Sequence, residues 1–504
     1  MFMGKKPNKT GGKTRGFDFY LNKVALVVFS VLAILFVYTA VSSQMLPPLL
    51  IALLVVVVAI PVALVWWLSL RRGKAMGRAV GSVLAMIFCL LFAVGTRYIQ
   101  IGMDALHSIT KEEAETAAMC VYVRADDTRE MEQLLDETFG VLELTSSHTQ
   151  DAVNQLNKEY STSLTTQSFD AVTDLVDALN DEDVDAILVD QGQLSVLEDL
   201  EGYETAMDNL RQVKSFHVEV QSDNTPVPDD EWEGDSVVTV YISGSDSRDS
   251  NIMATGRSDV NIIATINTET HQVLLLNTPR DFYIPLARSG PNDRRDKLTH
   301  AGLYGVDESK DTLAQYYDID IDYYFRVNFS GFEDIIDALG GIEVDSKYAF
   351  SSTISDTPIR YNKGINHLDG YEALYYVRER YSFPNGDYQR GVNQMQVIEA
   401  VMKKAMSPSI LTSYTSLMQA LSDCFKTSVP TELISSLVRN QLANPTQEWN
   451  IVTYYVSGTG SSEYTYSIPS QRAYVTIPDE STVETAKDLI QQVVDGKTIS
   501  APQQ

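Results

Sequence analysis

The 504-residue chain has little cysteine and little positive charge. Its three cysteines, Cys89, Cys120 and Cys424, exclude a disulfide framework, and no Cys-x-x-Cys is present. Whether Cys120 and Cys424 pair is left open by the sequence. Six histidines occur without zinc-ligand spacing such as His-Glu-x-x-His. The formal net charge is −28. Eleven Lys/Arg and one acid, Asp18, fall within residues 1–103, which leaves 28 basic and 66 acidic residues after them. A body this acidic repels polyanions, so nucleic acid is not an expected partner. A phosphate ligand would need a local basic cluster, a metal ion, or both.

What is present first is a membrane signal. Residues 24–70 contain no charge over 47 positions, enough for two spans of about 20 residues, with SSQMLPP (42–48) as the turn between them. Residues 79–99 read as a third span. Lys5, Lys6, Lys9, Lys13, Arg15 and Lys23 precede the first, and RRGKAMGR (71–78) carries four positive charges, whereas the first loop carries none. The positive-inside rule then puts the N-terminus in the cytoplasm and everything after about residue 103 outside. The expected organisation is a basic cytoplasmic tail (1–23), three transmembrane helices (24–103), a small α/β accessory domain (104–230) and a second α/β domain (231–504).

In the accessory segment MCVYVRA (119–125) and VDAILVD (184–190) read as strands, and REMEQLLDETFGVLEL (129–144) and FDAVTDLVDALN (169–180) have helical periodicity. The acidic, proline-containing run 223–235 reads as a linker. Beyond it, VVTVYIS (237–243), VNIIATIN (260–267) and QVLLLNT (272–278) are strand-like. Helical patterns follow at 332–339, 371–378 and 388–406. IVTYYVS (451–457), AYVTI (473–477) and a helix near 480–495 complete an α/β domain with a covered sheet.

The first of these strands ends in GSDSR (244–248) and the next begins after GRSD (256–259), so Asp246 and Asp259 flank adjacent strands. Two carboxylates at one end of a sheet suit Mg²⁺, with Mn²⁺ the alternative ion; loop acids or turn caps are the plainer reading. Arg280 leaves an apolar strand in NTPRD (277–281), either as a site arginine or paired with Asp281. YYVRERYSFPNGDYQRGVNQ (375–394) concentrates Arg378, Arg380 and Arg390 around Asp387. Tyr371, Leu374, Tyr375 and Arg378 share one helical face; Arg390, Gln394, Val397 and Val401 share another. Inward arginines are expensive unless an anion meets them. Several guanidinium forks suit a pyrophosphate. An internal network with Glu372, Glu379 and Asp387 is the alternative.

Taken together, GSDSR, GRSDVNIIATIN, LLLNTPRDFYI, DKLTHAG, FRVNFSGFEDIIDALGGIEV, LDGYEALYYVRERY and GDYQRGVNQMQVIEA resemble the LytR–CpsA–Psr family, in order from about residue 236 to 406. The three-span anchor and preceding α/β unit resemble its CpsA-type members from capsule loci. The resemblance implies an α/β/α layered domain with a central mixed sheet and an apolar pocket for a prenyl tail. It implies a phosphotransferase moving capsular polysaccharide or a similar polymer from an undecaprenyl-pyrophosphate carrier to a peptidoglycan sugar hydroxyl. This would take place in the cell membrane of a Gram-positive-type envelope, with capsule-assembly proteins as further partners. By the same resemblance Asp246 and Asp259 hold Mg²⁺. Arg257, Arg280, Arg378, Arg380, Arg390 and Gln394 bind the pyrophosphate, and Arg378, Arg380, Asp387 and Arg390 carry catalysis. Two positions depart from the family pattern: Asn393, where a second arginine is frequent before the glutamine, and Thr299, where an asparagine is frequent. A lipid-pyrophosphate hydrolase and a non-enzymatic scaffold of capsule assembly are the competing readings.

Overall fold

The computed structural model describes residues 14–70, 75–111, 113–143, 146–203, 205–220, 236–245, 251–355, 357–384, 386–405, 407, 410–444 and 446–502. The linker 223–235 and Asp246 lie outside the described residues, as does the side chain of Asp387.

Three helices open the chain: α1 (Thr14–Ser42), α2 (Pro48–Leu70) and α3 (Ala75–Thr110). Within them Lys23–Ser42, Pro48–Leu70 and Ala79–Thr110 are long and apolar enough to cross a membrane. The break falls where the polar SSQMLPP run lies. Pro48 opens α2, where its missing N–H has no helical partner to lose. Ile34, Leu49, Ile60 and Leu90 point outward, the reverse of a water-soluble helix but the expected face toward lipid. Phe92 of α3 stacks on Phe29 and Phe36 of α1 at centroid distances of 5.9 and 5.7 Å and, within its own helix, on Phe88 at 6.1 Å. α3 continues past residue 99, the expected end of the third span, to Thr110.

Two sheets follow within one compact unit that takes in Ser108–Pro430 and Glu448–Gln504. The first is built from β1 (Thr116–Arg124), β2 (Thr138–Leu142), α4 (Ser146–Tyr160), β3 (Thr165–Phe169), α5 (Val172–Asn180), β4 (Ala186–Asp190), the single turn α6 (Gln191–Leu194) and β5 (Leu210–Glu219). Its strand order is β3-β2-β4-β1-β5, with β2 parallel to β3 and β4 and with β1 antiparallel to β4 and β5. Segment 129–144 is not the helix its periodicity suggests. It forms a 3-10 turn, Met131–Gln133, and then β2. Thr138, Phe139 and Val141 favour a strand, and pairing on both sides by β3 and β4 satisfies the backbone there. Gly140 lets α5 close in, since a Cβ would come within 2.6 Å of Leu175 Cδ1.

The second part contains β6 (Val237–Ser245), β7 (Ser258–Asn267), β8 (Gln272–Asn277), β9 (Tyr283–Pro285), β10 (Arg295–Lys297), the single turn α7 (Leu298–Ala301), α8 (Val306–Tyr317), β11 (Tyr323–Asn328) and α9 (Phe329–Ala338). It continues with β12 (Ile342–Ser346), β13 (Phe350–Ser351), β14 (Arg360–Tyr361), β15 (Gly364–Leu368), α10 (Gly370–Arg378), α11 (Gly386–Ala405), α12 (Ile410–Cys424) and β16 (Phe425–Thr427). α13 (Thr431–Ala443) groups instead with the three N-terminal helices. Then come β17 (Asn450–Tyr455), β18 (Gly458–Tyr464), β19 (Arg472–Pro478) and α14 (Glu480–Val494).

The central sheet is mixed, in the order β16-β11-β6-β7-β8-β17, with β11/β6 and β8/β17 parallel. Period-two alternation assigns its faces. Ile263, Leu274 and Leu276 join a core with α8 and α14, while Ile262, Ala264, Val273 and Leu275 join one with Met395 of α11. The result is the α/β/α layering. The run 473–477 does not extend this sheet; as β19 it pairs with β18 in a separate ribbon.

Candidate functional site

β6 and β7 pair regularly up to Gly244↔Val260, then skip to Ser245↔Ser258, so Asp259 is the extra residue of a β-bulge. Ser258 and Asn261, three apart, both bond Tyr241 Oη, at 2.9 and 2.7 Å, and so lie on one face. A bulge of this kind re-aims the inserted side chain. Asp259 Oδ1 accepts from Arg280 Nη1 at 2.7 Å and from Thr299 Oγ1 at 3.3 Å. Arg280 sits just past the end of β8, and its carbonyl receives Thr299 N at 2.8 Å, which ties α7 to the site. Burial pushes the Asp259 carboxyl up, but Arg280, Arg390 and Arg257 outweigh it and hold the group well below the ordinary carboxylate range. Asp259 is therefore ionised at neutral pH.

Arg257, Arg280 and Arg390 are each more than nine-tenths buried. Arg257 Nη1 donates to Ser195 O at 3.2 Å. Arg280 also lies 3.7 Å from Asp281, which Lys297 meets from its other side at 3.5 Å. On α11, Arg390, Gln394 and Val397 are buried on one face, as the spacing implies. Asn277 at the end of β8 donates to Gln394 Oε1 at 3.3 Å. Gly391 makes this approach possible: a Cβ there would run into the Tyr455 ring and come within 2.9 Å of Asn277 Oδ1.

Arg378 is placed differently from its sequence expectation. The core face of α10 is Ala373, Leu374, Tyr376 and Val377, while Tyr371 is exposed and Tyr375 and Arg378 are half-buried beside that stripe. The short helix is packed on Tyr376 and Val377, which rotates the predicted stripe to one side. The Arg378 guanidinium lies 6.0 Å from the Tyr375 ring centre and acts on Glu333, whose carboxyl burial pushes up. Arg380 donates to Tyr381 Oη at 2.6 Å. Asp387 is the second residue of α11.

Two acids of the alternative network, Glu379 and Glu372, have other partners among the described residues. Glu379, fully buried, accepts from Thr353 N at 2.6 Å, Thr353 Oγ1 at 2.9 Å and Ser382 N at 3.0 Å. Burial raises its carboxyl, and these bonds outweigh that and lower it. Glu372 closes a capping box with Asp369 at the start of α10. Asn393 links the two helices: its Nδ2 donates to Tyr376 O at 3.1 Å and its Oδ1 accepts from Gln389 at 2.8 Å. The structure thus gathers Arg257, Arg280, Arg390 and Asp259, with Gln394 on the same buried face as Arg390, and sets Arg378 and Arg380 at the end of α10. Thr299, noted in the sequence only as a departure, is a direct partner of Asp259.

Among the described residues no group of three or more His, Cys, Asp or Glu is placed to hold a metal ion. Asp259 nevertheless fits Mg²⁺ chemistry. It is ionised, its Oδ2 takes part in none of the described hydrogen bonds, and magnesium is commonly held by one or two carboxylates with phosphate oxygens completing its shell.

A profile of the LytR_cpsA_psr family matches residues 195–482, more than half of the chain. The polyisoprenyl-teichoic acid–peptidoglycan teichoic acid transferase TagU of Enterococcus faecalis is 37% identical over 190 residues, 38% of this chain and 60% of that protein. The TagU of Bacillus cereus is 35% identical over 204 residues, 40% of this chain and 64% of that protein. The chain thus spans less than two thirds of either relative's length. Among solved structures, TagV of B. subtilis superposes with a TM-score of 0.43 at 27% identity, covering 52% of this chain and 99% of that one.

Proposed function

The chain belongs to the LytR–CpsA–Psr family, and from that membership we propose that it is a phosphotransferase joining a cell-wall glycopolymer to peptidoglycan. The donor is the polymer on a polyprenyl-pyrophosphate carrier, a capsular polysaccharide or similar chain, and the acceptor is a sugar hydroxyl of peptidoglycan. The observation that carries this reading is the convergence of three buried arginines, Arg257, Arg280 and Arg390, on one ionised carboxylate. Guanidinium forks held in a water-poor site bind phosphate oxygens and stabilise the charge that develops on a transferring phosphoryl group. The three N-terminal helices anchor the chain, and the basic flanks of the spans put the α/β part outside the cytoplasm, on the side where peptidoglycan lies.

In this reading the acceptor oxygen attacks the glycan-bearing phosphorus and prenyl monophosphate leaves. The product is a phosphodiester, and the hydroxyl proton passes to a base. Asp259 is held too acidic to take up that proton at neutral pH, so its part is electrostatic. In this proposal the proton falls to Asp387, the carboxylate not assigned to the metal. Asp259 and Asp246 would hold Mg²⁺, which when bound withdraws charge from the phosphate oxygens. Arg378 and Arg380 would close on the outer phosphate.

The test is acceptor-dependent transfer. The full-length protein in detergent is incubated with a prenyl-pyrophosphate oligosaccharide, peptidoglycan fragments and Mg²⁺, and joined product is sought by mass spectrometry. Product that disappears with Asp259→Ala and Arg378→Ala supports the transferase. Free phosphorylated glycan with no joined product would make it a hydrolase. Unchanged polymer attachment in cells carrying both substitutions would make it a scaffold.

A further inference from the structure

The loop that delivers Arg257 and Asp259 to the site is sewn to the five-stranded sheet. Thr116, the first residue of β1, donates its N–H to Met253 O at 3.0 Å and accepts Thr255 N at 2.7 Å, a parallel bridge that adds this loop to the edge of β1. Asn251 Nδ2 bonds Thr116 Oγ1 at 2.9 Å. Glu115, one residue earlier, forms a buried pair with Arg326 of β11 at 2.7 Å, and Arg326 in turn bonds Ala254 O.

The tightest point is Asp190. It is fully buried at the end of β4 and caps α6 by accepting Gly192 N at 2.8 Å on Oδ1. Its Oδ2 accepts Thr255 Oγ1 at 3.1 Å. The turn it caps ends at Ser195, whose carbonyl receives Arg257 Nη1. One carboxylate thus holds both the loop, two residues before Arg257, and the turn that meets the guanidinium itself. Burial pushes the Asp190 carboxyl up to about 6, and the nearest imidazole nitrogen, His148 Nε2 at 3.8 Å, belongs to a ring whose pKa burial lowers to about 4. An ionised carboxylate kept there without a cation is costly, and an apolar residue would pack the position more cheaply. Asp190 also precedes the stretch matched by the family profile, which begins at Ser195.

We propose that Asp190 is a positioning residue for the transfer reaction. Through Thr255 and the 190–195 turn it fixes the loop that aims Arg257 at the donor's pyrophosphate. The first α/β segment is then part of the site's framework, and this rests on the pyrophosphate reading above.

The test is binding of geranylgeranyl pyrophosphate to the full-length protein in detergent. Arg257→Ala is expected to weaken binding about tenfold or more. Asp190→Asn and Thr255→Val should each weaken it about fivefold, the size of one ordinary hydrogen bond. Thr255→Ser, which keeps the hydroxyl, should bind within about twofold of wild type. In the Arg257→Ala background Asp190→Asn should add less than about twofold, because its effect passes through the arginine. If Asp190→Asn fails to fold, the Thr255→Val and Thr255→Ser pair decides. Wild-type binding by both Asp190→Asn and Thr255→Val, with Arg257→Ala weak, would overturn this inference and leave the pyrophosphate reading standing. Fully additive losses in the double variant would likewise reduce Asp190 to a general folding role. Wild-type binding by Arg257→Ala would overturn both.

Discussion

The two sheets treat arginine in opposite ways. Around the five-stranded sheet, Arg124 pairs with Glu182 at 2.8 Å, Arg129 with Asp127 at 2.7 Å and Glu137 at 3.0 Å, and Arg211 with Glu130 at 3.5 Å, the three arginine side chains each about one-third exposed. Around the six-stranded sheet, Arg257, Arg280, Arg326 and Arg390 are only 2–8% exposed. Exposed pairs contribute ~0–1 kcal/mol, whereas desolvating a guanidinium costs several. Arg326 meets that cost with a protein carboxylate, Glu115. The other three turn toward Asp259 at the strand ends, where α/β sheets bind ligands. The difference teaches that burial and convergence, rather than arginine content, mark an anion site.

That contrast can be broken most sharply at Arg280. Arg280→Ala removes the direct partner of Asp259 and the guanidinium proposed to hold the pyrophosphate, and transfer should fall about 10³-fold or more, read as initial rate of joined product. Gly391→Ala is next. The added Cβ forces α11 away from Tyr455 and Asn277, and a loss of ~1–3 kcal/mol is expected in denaturant melts, with a fall in transfer because Arg390 and Gln394 move too.

Glu379→Gln tests the acid that holds the loop after α10. Its folded pKa is lowered, so the carboxylate contributes stability above its unfolded value near 4.3, and that contribution is lost as pH falls through the folded value. The variant should be less stable by ~1–3 kcal/mol at pH 7, and the gap should close only as pH falls through the lowered folded value, measured as thermal midpoint against pH. The smallest effect belongs to the first sheet. Arg129→Ala should cost less than ~1 kcal/mol and leave transfer unchanged; a large loss of activity there would erase the contrast.

Much of this was legible because it is local. Long apolar runs mark the three N-terminal helices, short β-branched and apolar runs mark β6, β7 and β8, and 3.6-residue spacing puts Arg390 and Gln394 on the buried face of α11. The motif order pointed to the family. What stayed hidden depends on partners distant in the chain. β2 takes its form from β3 and β4, against its own helical spacing. Arg378 leaves the inward stripe because the packing of Tyr376 and Val377 sets the rotation of α10. The bulge that turns Asp259 toward Arg280 is a register shift between strands, with no mark in either one alone. Asp190 reads as an ordinary strand-end acid until Thr255, 65 residues later, folds onto it.

The central claim is that the buried arginines hold a pyrophosphate whose glycan-bearing phosphorus is handed to peptidoglycan. The most direct measurement follows that phosphorus. A prenyl-pyrophosphate oligosaccharide labelled with ³²P at the sugar-proximal position is given to the full-length protein with peptidoglycan fragments. The account expects the label in a phosphodiester joined to peptidoglycan, with unlabelled prenyl monophosphate released, and expects Arg280→Ala to abolish the transfer. Label recovered only as free phosphorylated glycan, with competent acceptor present, would contradict it.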